Sequence, residues 1–174
     1  MAEYLEEHGQ AVQALQAPLL YHHWSHTEDY EKLFHWLHKA LDLAQSNYDM
    51  VTGKKLADEA VDLLDKMEDS EKARERRYLV LQRRIFVSNL KGDRAPQEKD
   101  ILWSLEHARA LADDLKMGAS LNNLAELCVF TSRYQDALKA LDEVAPKLST
   151  LPPQLQERAH RLRGVIYNQT GRAM

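Results

Sequence analysis

The sequence predicts an all-α protein, an antiparallel array of about eight helices packed as hairpins. Apolar residues recur with the 3.6-residue period of an amphipathic helix along most of the chain, most clearly from Leu121 to Cys128. Short turn signals such as residues 131–133 separate neighbouring stripes. Only Val80–Val87 resembles a strand, and it lies in a long charged helical context without turn signals of its own, so we predict a helix there as well.

The first third of the chain is predicted to form four helical pieces. Residues 1–16 and 19–25 read as two helices separated at Pro18, because proline removes a backbone donor. Thr27 is the predicted N-cap of a helix whose apolar stripe runs from Tyr30 to Ala44. Thr52 is predicted to open the next helix, whose stripe runs from Leu56 to Met67.

The remaining elements follow the same rules. Ser70 is the predicted cap of a helix that ends near Leu90, and residues 91–94 form a turn before a helix with a stripe from Ile101 to Leu115. Residues 120–147 are predicted to form two helices around the turn at 131–133. Residues 153–170 are predicted to form the last helix.

The pair of helices in residues 120–147 carries a recognisable pattern of large and small apolar residues. The small side chains of Ala125 and Ala137 are expected where the two helices cross, since a methyl group permits close approach. The pattern resembles the tetratricopeptide repeat, in which Ser132 would replace the usual turn glycine. The matching positions are Leu121, Leu124, Ala125, Tyr134, Ala137 and Val144.

A second, incomplete copy of this pattern follows. Ala159, Gly164, Tyr167 and Gly171 match the first helix and turn of another repeat. We therefore expect one domain over residues 1–174, made of degenerate repeats in 1–69, clearer repeats in 70–117 and 118–150, and a half repeat in 152–174. Because each repeat buries its face against its neighbours, we expect this chain to be a fragment of a longer array.

The last helix carries an apolar stripe that the next repeat would cover. If nothing covers it, we expect either a homodimer through the C-terminal helix or fraying after about Arg163. The residues of this stripe are Leu155, Ala159, Leu162 and Ile166.

A second resemblance lies in Ala17–Ala44. This segment is similar to the start of the tetratricopeptide arm that follows the nucleotide-binding module of large signalling ATPases and ATPase-linked transcription regulators. The resemblance implies a sensor or docking arm whose catalytic module lies elsewhere. The residues that fit are Leu20, His23, Trp24, Asp29, Tyr30 and Lys32.

The family's register predicts a partner-binding surface on the first helix of each repeat. Amide and charged side chains with scattered apolar residues suit an extended peptide or a helix. The function expected from the resemblance is a non-catalytic protein–protein interaction scaffold, and the alternative is a domain that senses a peptide or small ligand. The predicted surface residues are Gln82, Phe86, Asn89, Asn122, Asn123, Glu126, Arg161, Val165 and Asn168.

Composition favours a cytoplasmic protein without an enzymatic or cofactor motif. The net charge is −4, no apolar run approaches the length of a membrane span, and the N-terminus lacks a signal-peptide core. The six glycines are isolated, so no glycine-rich phosphate loop or nucleophile elbow is present, and we expect neither catalysis nor a cofactor. Cys128 lies on an apolar stripe, which indicates a core residue.

The histidines of the N-terminal third raise the alternative of a metal site. His22 and His26 are spaced i, i+4, and His35 and His38 are spaced i, i+3, which can place imidazoles on one helical face. No cysteine completes a tetrahedral set, so we interpret His22 and His23 as interfacial residues and His35 and His38 as flanking the apolar stripe. No metal is expected.

A cluster of basic residues raises the alternative of nucleic-acid binding. Because the net charge is negative, a salt-bridged helix face is the preferred interpretation. Glu71 and Glu75 are the expected partners. The basic residues are Lys72, Arg74, Arg76, Arg77, Arg83 and Arg84.

Overall fold

The described residues form eight α-helices and one 3-10 helix, and no strand occurs among them, which confirms the all-α prediction. The computed structural model describes residues 10–171, with side chains from residue 16 onward. Most of the predicted piece 1–16 lies outside this range. The helices are α1 (Gln10–Trp24), α2 (Tyr30–Ser46), α3 (Met50–Leu64), α4 (Glu71–Lys91), α5 (Arg94–Ala110), α6 (Asp114–Phe130), α7 (Tyr134–Val144), the 3-10 helix (Ala145–Thr150) and α8 (Pro153–Thr170).

The contacts divide the chain into two compact units, Met1–Val87 and Ser88–Met174. In the first unit α1 packs on α2 and α2 on α3, and in the second α5 packs on α6, α6 on α7, and both α6 and α7 on α8. Consecutive helices thus pack as hairpins. None of the helices described is long and apolar enough to cross a membrane.

Four turns between helices share one backbone geometry. In each, one residue has a positive φ, and the residue after it donates its backbone N–H to the carbonyl five positions earlier at 2.7–3.0 Å. This is the Schellman arrangement, which satisfies the last carbonyls of a helix. Ser132 adopts this conformation with φ 58°, so the missing glycine does not prevent the turn. The positive-φ residues are Tyr48, Gly92, Ala112 and Ser132.

Several predicted boundaries are confirmed. Ser70 caps α4 through its Oγ, which accepts a hydrogen bond from the Ala73 N–H at 3.1 Å. Val80–Val87 is helical, the turn at 131–133 lies between α6 and α7, and α8 spans Pro153–Thr170 as predicted.

Two predicted caps are wrong. Asp29, not Thr27, caps α2 by accepting from the Lys32 N–H, and Asp49, not Thr52, caps α3 by accepting from the Thr52 N–H, both at 3.0 Å. Each segment offers several polar residues before its apolar stripe. In both cases the cap is the aspartate at the end of the preceding turn, because its carboxylate accepts a hydrogen bond from the backbone N–H three residues later.

Three further boundaries differ from the prediction. Pro18 does not separate two helices but lies inside α1, where the fully buried Ala17 and Leu20 anchor the helix on both sides of it. Helix α6 begins at Asp114, before the predicted repeat boundary at 118, because Asp113 caps it. Helix α7 ends at Val144, and the chain tightens into the 3-10 helix that contains Pro146.

The C-terminal helix does not carry an uncovered stripe. Ala159, Leu162 and Ile166 are buried in the core of the second unit with α6 and α7, and Leu155 packs against that core. The predicted exposed patch is therefore wrong, because the preceding hairpin already covers this side of α8. Val165 is the large apolar residue of α8 that stays exposed in the described structure.

Candidate functional site

The second unit joins residues of three helices through one network of hydrogen bonds and ion pairs. Its centre is Glu126 on α6, whose Oε2 accepts from Arg158 Nη2 on α8 at 2.6 Å and from Asn89 Nδ2 on α4 at 3.3 Å. Arg161 Nη2 lies 3.6 Å from the other carboxylate oxygen. The network therefore joins α4, α6 and α8, which are alternate helices of the chain, at one carboxylate.

The network continues onto α5. Arg94 Nη1 donates to Asn89 Oδ1 and to Gln97 Oε1, both at 2.9 Å, and its guanidinium carbon lies 4.8 Å from the ring centroid of Phe130. Because Gln97 is buried, the end of this hydrogen-bond network on α5 is shielded from water. We name the six residues the Glu126 network: Asn89, Arg94, Gln97, Glu126, Arg158 and Arg161.

Burial in the Glu126 network decreases toward α8. The Glu126 side chain is 16% exposed and Arg158 is 27% exposed, whereas Arg161 is 62% exposed. Arg161 thus keeps guanidinium N–H groups in water. Val165 and Asn168 follow it at i+4 and i+7 and are also exposed, so the three share one face of α8, named here the α8 stripe.

The nine predicted surface residues divide into four groups, one of which is the buried pair Asn122 and Asn123. Asn89, Glu126 and Arg161 are brought together in the Glu126 network, and Val165 and Asn168 lie beside it on the α8 stripe. Gln82 and Phe86 lie on α4 in the first unit, where Gln82 is half-buried and Phe86 is exposed.

The prediction that Asn122 and Asn123 face an open groove is wrong. Both are buried, and Asn122 Nδ2 donates to the backbone carbonyl of Leu155 at 3.0 Å. Asn122 therefore ties α6 to the first turn of α8. Helix periodicity alone could not show this, because α8 covers a face that the sequence of α6 leaves polar.

Arg158 and Arg94 were missed by the sequence reading. Arg158 lies three residues before Arg161, a spacing that places both on one helical face. That spacing could have identified Arg158 as a residue of the predicted surface. The pairing of Arg94 with Asn89 crosses the turn between α4 and α5 and has no sequence signature.

The first unit contains a surface cleft of about 360 Å³ between α2 and α4. Helix α2 contributes Phe34, His35, His38, Lys39 and Asp42, and α4 contributes Arg76 and Leu79. Phe34 is buried and forms an apolar part of the wall, while Leu79 is 45% exposed at the edge.

Ion pairs fix most charges around the cleft. Arg76 donates both terminal nitrogens to the Glu31 carboxylate at 2.9 and 2.7 Å, and Lys72 donates to the same group at 2.8 Å. The hydrogen bonds from Arg76 and then Lys72 lower the pKa of Glu31 to about 2. Asp42 lies 2.5 Å from Arg83.

The two cleft histidines differ in their surroundings. His38 Nδ1 lies 3.4 Å from Asp42, and the ring is partly buried. Burial lowers the pKa of His38, and Arg83 and Arg76 lower it further against the opposing effect of Asp42. His38 is therefore neutral near pH 7. His35 is exposed, with its ring edge-on to Trp36 at 4.9 Å.

The basic cluster of α4 is a salt-bridged face, as predicted, and it pairs with carboxylates from elsewhere in the first unit. Arg84 pairs with Asp58 of α3, Arg77 with Asp65, and Arg74 with Asp69. With the Glu31 and Asp42 pairs, each predicted basic residue has an acidic partner. These basic side chains are therefore engaged in ion pairs within the first unit.

Cys128 is buried in the core of the second unit, as predicted. Burial raises the pKa of its thiol, which disfavours the nucleophilic thiolate. Among the described residues, no group of three or more histidine, cysteine, aspartate or glutamate side chains is placed to hold a metal ion. His22 and His26 instead meet edge-on, with ring centroids 5.1 Å apart.

The chain matches no protein-family model, and no curated protein matches it either.

Proposed function

We propose that this chain is a non-catalytic protein–protein interaction scaffold of the tetratricopeptide type, part of a regulatory or signalling protein. The observation that carries the proposal is the convergence of Asn89, Glu126 and Arg158 from three alternate helices, α4, α6 and α8. In repeat proteins such helices form a shared binding face. The recurring Schellman turn supports a repeated hairpin unit.

The partner is a peptide segment that carries a carboxylate. Two arginines of the Glu126 network, Arg158 and Arg161, lie against the Glu126 carboxylate, and Arg161 is the more exposed of the two. An exposed guanidinium can bind a carboxylate through two parallel hydrogen bonds. Val165 and Asn168 add an apolar contact and an amide on the same face, which suits an extended or helical peptide.

Selection of peptides on the full chain tests this function. A phage-displayed library of peptides of about a dozen residues is selected on the protein, and the affinity of each selected peptide is measured by fluorescence anisotropy. The paired change Val165→Glu and Asn168→Glu should weaken binding about tenfold or more, since it adds two carboxylates to the face that meets the peptide.

A matched control uses the exposed face of α7. Gln135→Glu and Lys139→Glu introduce the same two side chains one helical turn apart, at i, i+4 rather than i, i+3, both on an exposed surface, and should leave peptide affinity unchanged. The proposal fails if no peptide is selected, or if both pairs of changes weaken binding equally.

The alternative function, small-ligand sensing, is favoured by one observation, the cleft of the first unit. Its volume lies in the range of small-molecule sites.

A further inference from the structure

Lys39 differs from the other cations around the cleft of the first unit. Arg76, Lys72 and Arg83 each pair with a carboxylate. Within the described residues Lys39 has no such partner, and its Nζ lies 4.9 Å from the centroid of the Trp36 ring. An ammonium held over an aromatic face keeps its charge and its hydrogen-bond donors available to a second group.

The balance of charge around the cleft is positive. Two cations, Lys39 and Arg76, and one carboxylate, Asp42, line the cleft. Outside the lining, Glu31 pairs with Arg76 and Lys72, and Arg83 pairs with Asp42. The chain as a whole carries a net charge of −4. The local excess therefore favours an anion at this place, against the field of the rest of the protein.

The walls of the cleft are largely apolar beside this charge. Phe34 is 5% exposed, and Arg76 is stacked over its ring with the guanidinium carbon 4.7 Å from the centroid. Leu79, on the opposite helix α4, also lines the cleft. Since His38 is neutral near pH 7, its ring adds a weakly polar wall that can donate or accept one hydrogen bond.

We propose that this cleft binds a small organic monoanion, a carboxylate on an aromatic or aliphatic body. The body packs against Phe34 and Leu79, and the carboxylate accepts hydrogen bonds from Lys39 Nζ. A single cation without a carboxylate partner suits one negative charge, and the apolar walls exclude a small hydrated anion such as inorganic phosphate. The site does not depend on the peptide-binding surface proposed for the second unit.

Titration of the full chain with naphthalene-2-carboxylate tests the site. Amide shifts of the ¹⁵N-labelled protein should saturate with a Kd of about 1 mM or tighter, with the largest changes at His35, His38, Lys39 and Leu79. The neutral isostere naphthalene-2-methanol should bind about fivefold or more weakly, because it cannot form the charged hydrogen bond. Inorganic phosphate should not shift these amides.

Two variants separate the charged contact from the apolar one. Lys39→Gln should weaken the carboxylate about fivefold or more and leave the alcohol unchanged, and Leu79→Ser should weaken both ligands. Lys55→Gln is the matched control, because Lys55 is an exposed lysine on α3 of the same unit, and it should change neither affinity.

The proposal is overturned if the naphthoate shifts do not saturate or map away from the cleft. It is overturned equally if the alcohol binds as tightly as the carboxylate, or if Lys39→Gln and Lys55→Gln behave alike. Failure of this site would leave the peptide selection on the α8 stripe unaffected, since the two experiments report on residues of different units.

Discussion

Replacing Gly118 with alanine should destabilise the second unit, although the same change in most helices is stabilising. Gly118 lies inside α6, where alanine is favoured over glycine by about 1 kcal/mol. An added Cβ would lie 2.4 Å from Leu151 Cδ1 and 3.3 Å from Cδ2. Leu151 is buried in the core, so its side chain can move only by displacing neighbours.

The magnitude follows from two opposing contributions. Overpacking of a core costs about 1–3 kcal/mol, which exceeds the gain of about 1 kcal/mol from helix propensity. Gly118→Ala should therefore lower the free energy of unfolding by about 1 kcal/mol. Gly164→Ala on α8 is the control, because nothing lies within 4 Å of its added Cβ, and it should raise stability by about 1 kcal/mol.

Urea unfolding followed by circular dichroism measures these differences. In a Leu151→Ala background the clash is absent, so Gly118→Ala should become stabilising there, and the two changes should be strongly non-additive. If Gly118→Ala stabilises the wild-type chain as much as Gly164→Ala does, Leu151 does not pack against α6 as described.

Three further results are expected. Ala137→Leu, at a fully buried helix crossing, should cost about 1–3 kcal/mol, whereas exposed Lys139→Ala should cost less than about 0.5 kcal/mol; similar melting shifts would contradict the packing of α7. Burial raises the pKa of the Cys128 thiol and shields it from reagents. At about pH 8 the thiol should therefore react with iodoacetamide more than about 100-fold faster in urea than in the native protein. Equal rates would show that Cys128 lies at the surface. The folded pKa of Glu31 is about 2, below its ordinary 4.5, so the stabilisation from its ion pairs is complete above about pH 4.5 and is lost as the pH falls toward 2. Glu31→Gln should therefore lower the free energy of unfolding by about 1 kcal/mol at neutral pH and by progressively less below about pH 4.5. A difference that stays constant with pH would show that the Arg76 pair is absent.

The parts of the fold that depend on local chemistry were predictable. The stripe from Leu121 to Cys128, the turn at 131–133 and the bounds of α8 follow from periodicity and turn residues close in sequence. Pro18 was misread because its effect on a helix depends on whether tertiary packing holds both flanks, and the burial of Ala17 and Leu20 cannot be seen in the sequence.

The candidate surface was predictable only in part. A helical register identifies Glu126 and Arg161 as members of polar faces, but it cannot show that they meet, because the pairing joins helices more than 30 residues apart. It also cannot distinguish a polar residue in water from one that bonds a neighbouring helix, as Asn122 does. The carboxylate partners of the α4 arginines are non-local for the same reason.

A double-mutant cycle on Glu126 and Arg158 tests most directly whether α6 and α8 are joined into one face. The two side chains meet at 2.6 Å with little exposure of the carboxylate, so their coupling energy should be about 1–2 kcal/mol. Glu126→Gln, Arg158→Gln and the double variant are compared with the wild type by urea unfolding. A coupling within about 0.3 kcal/mol of zero would contradict the Glu126 network and remove the observation on which the proposed scaffold function rests.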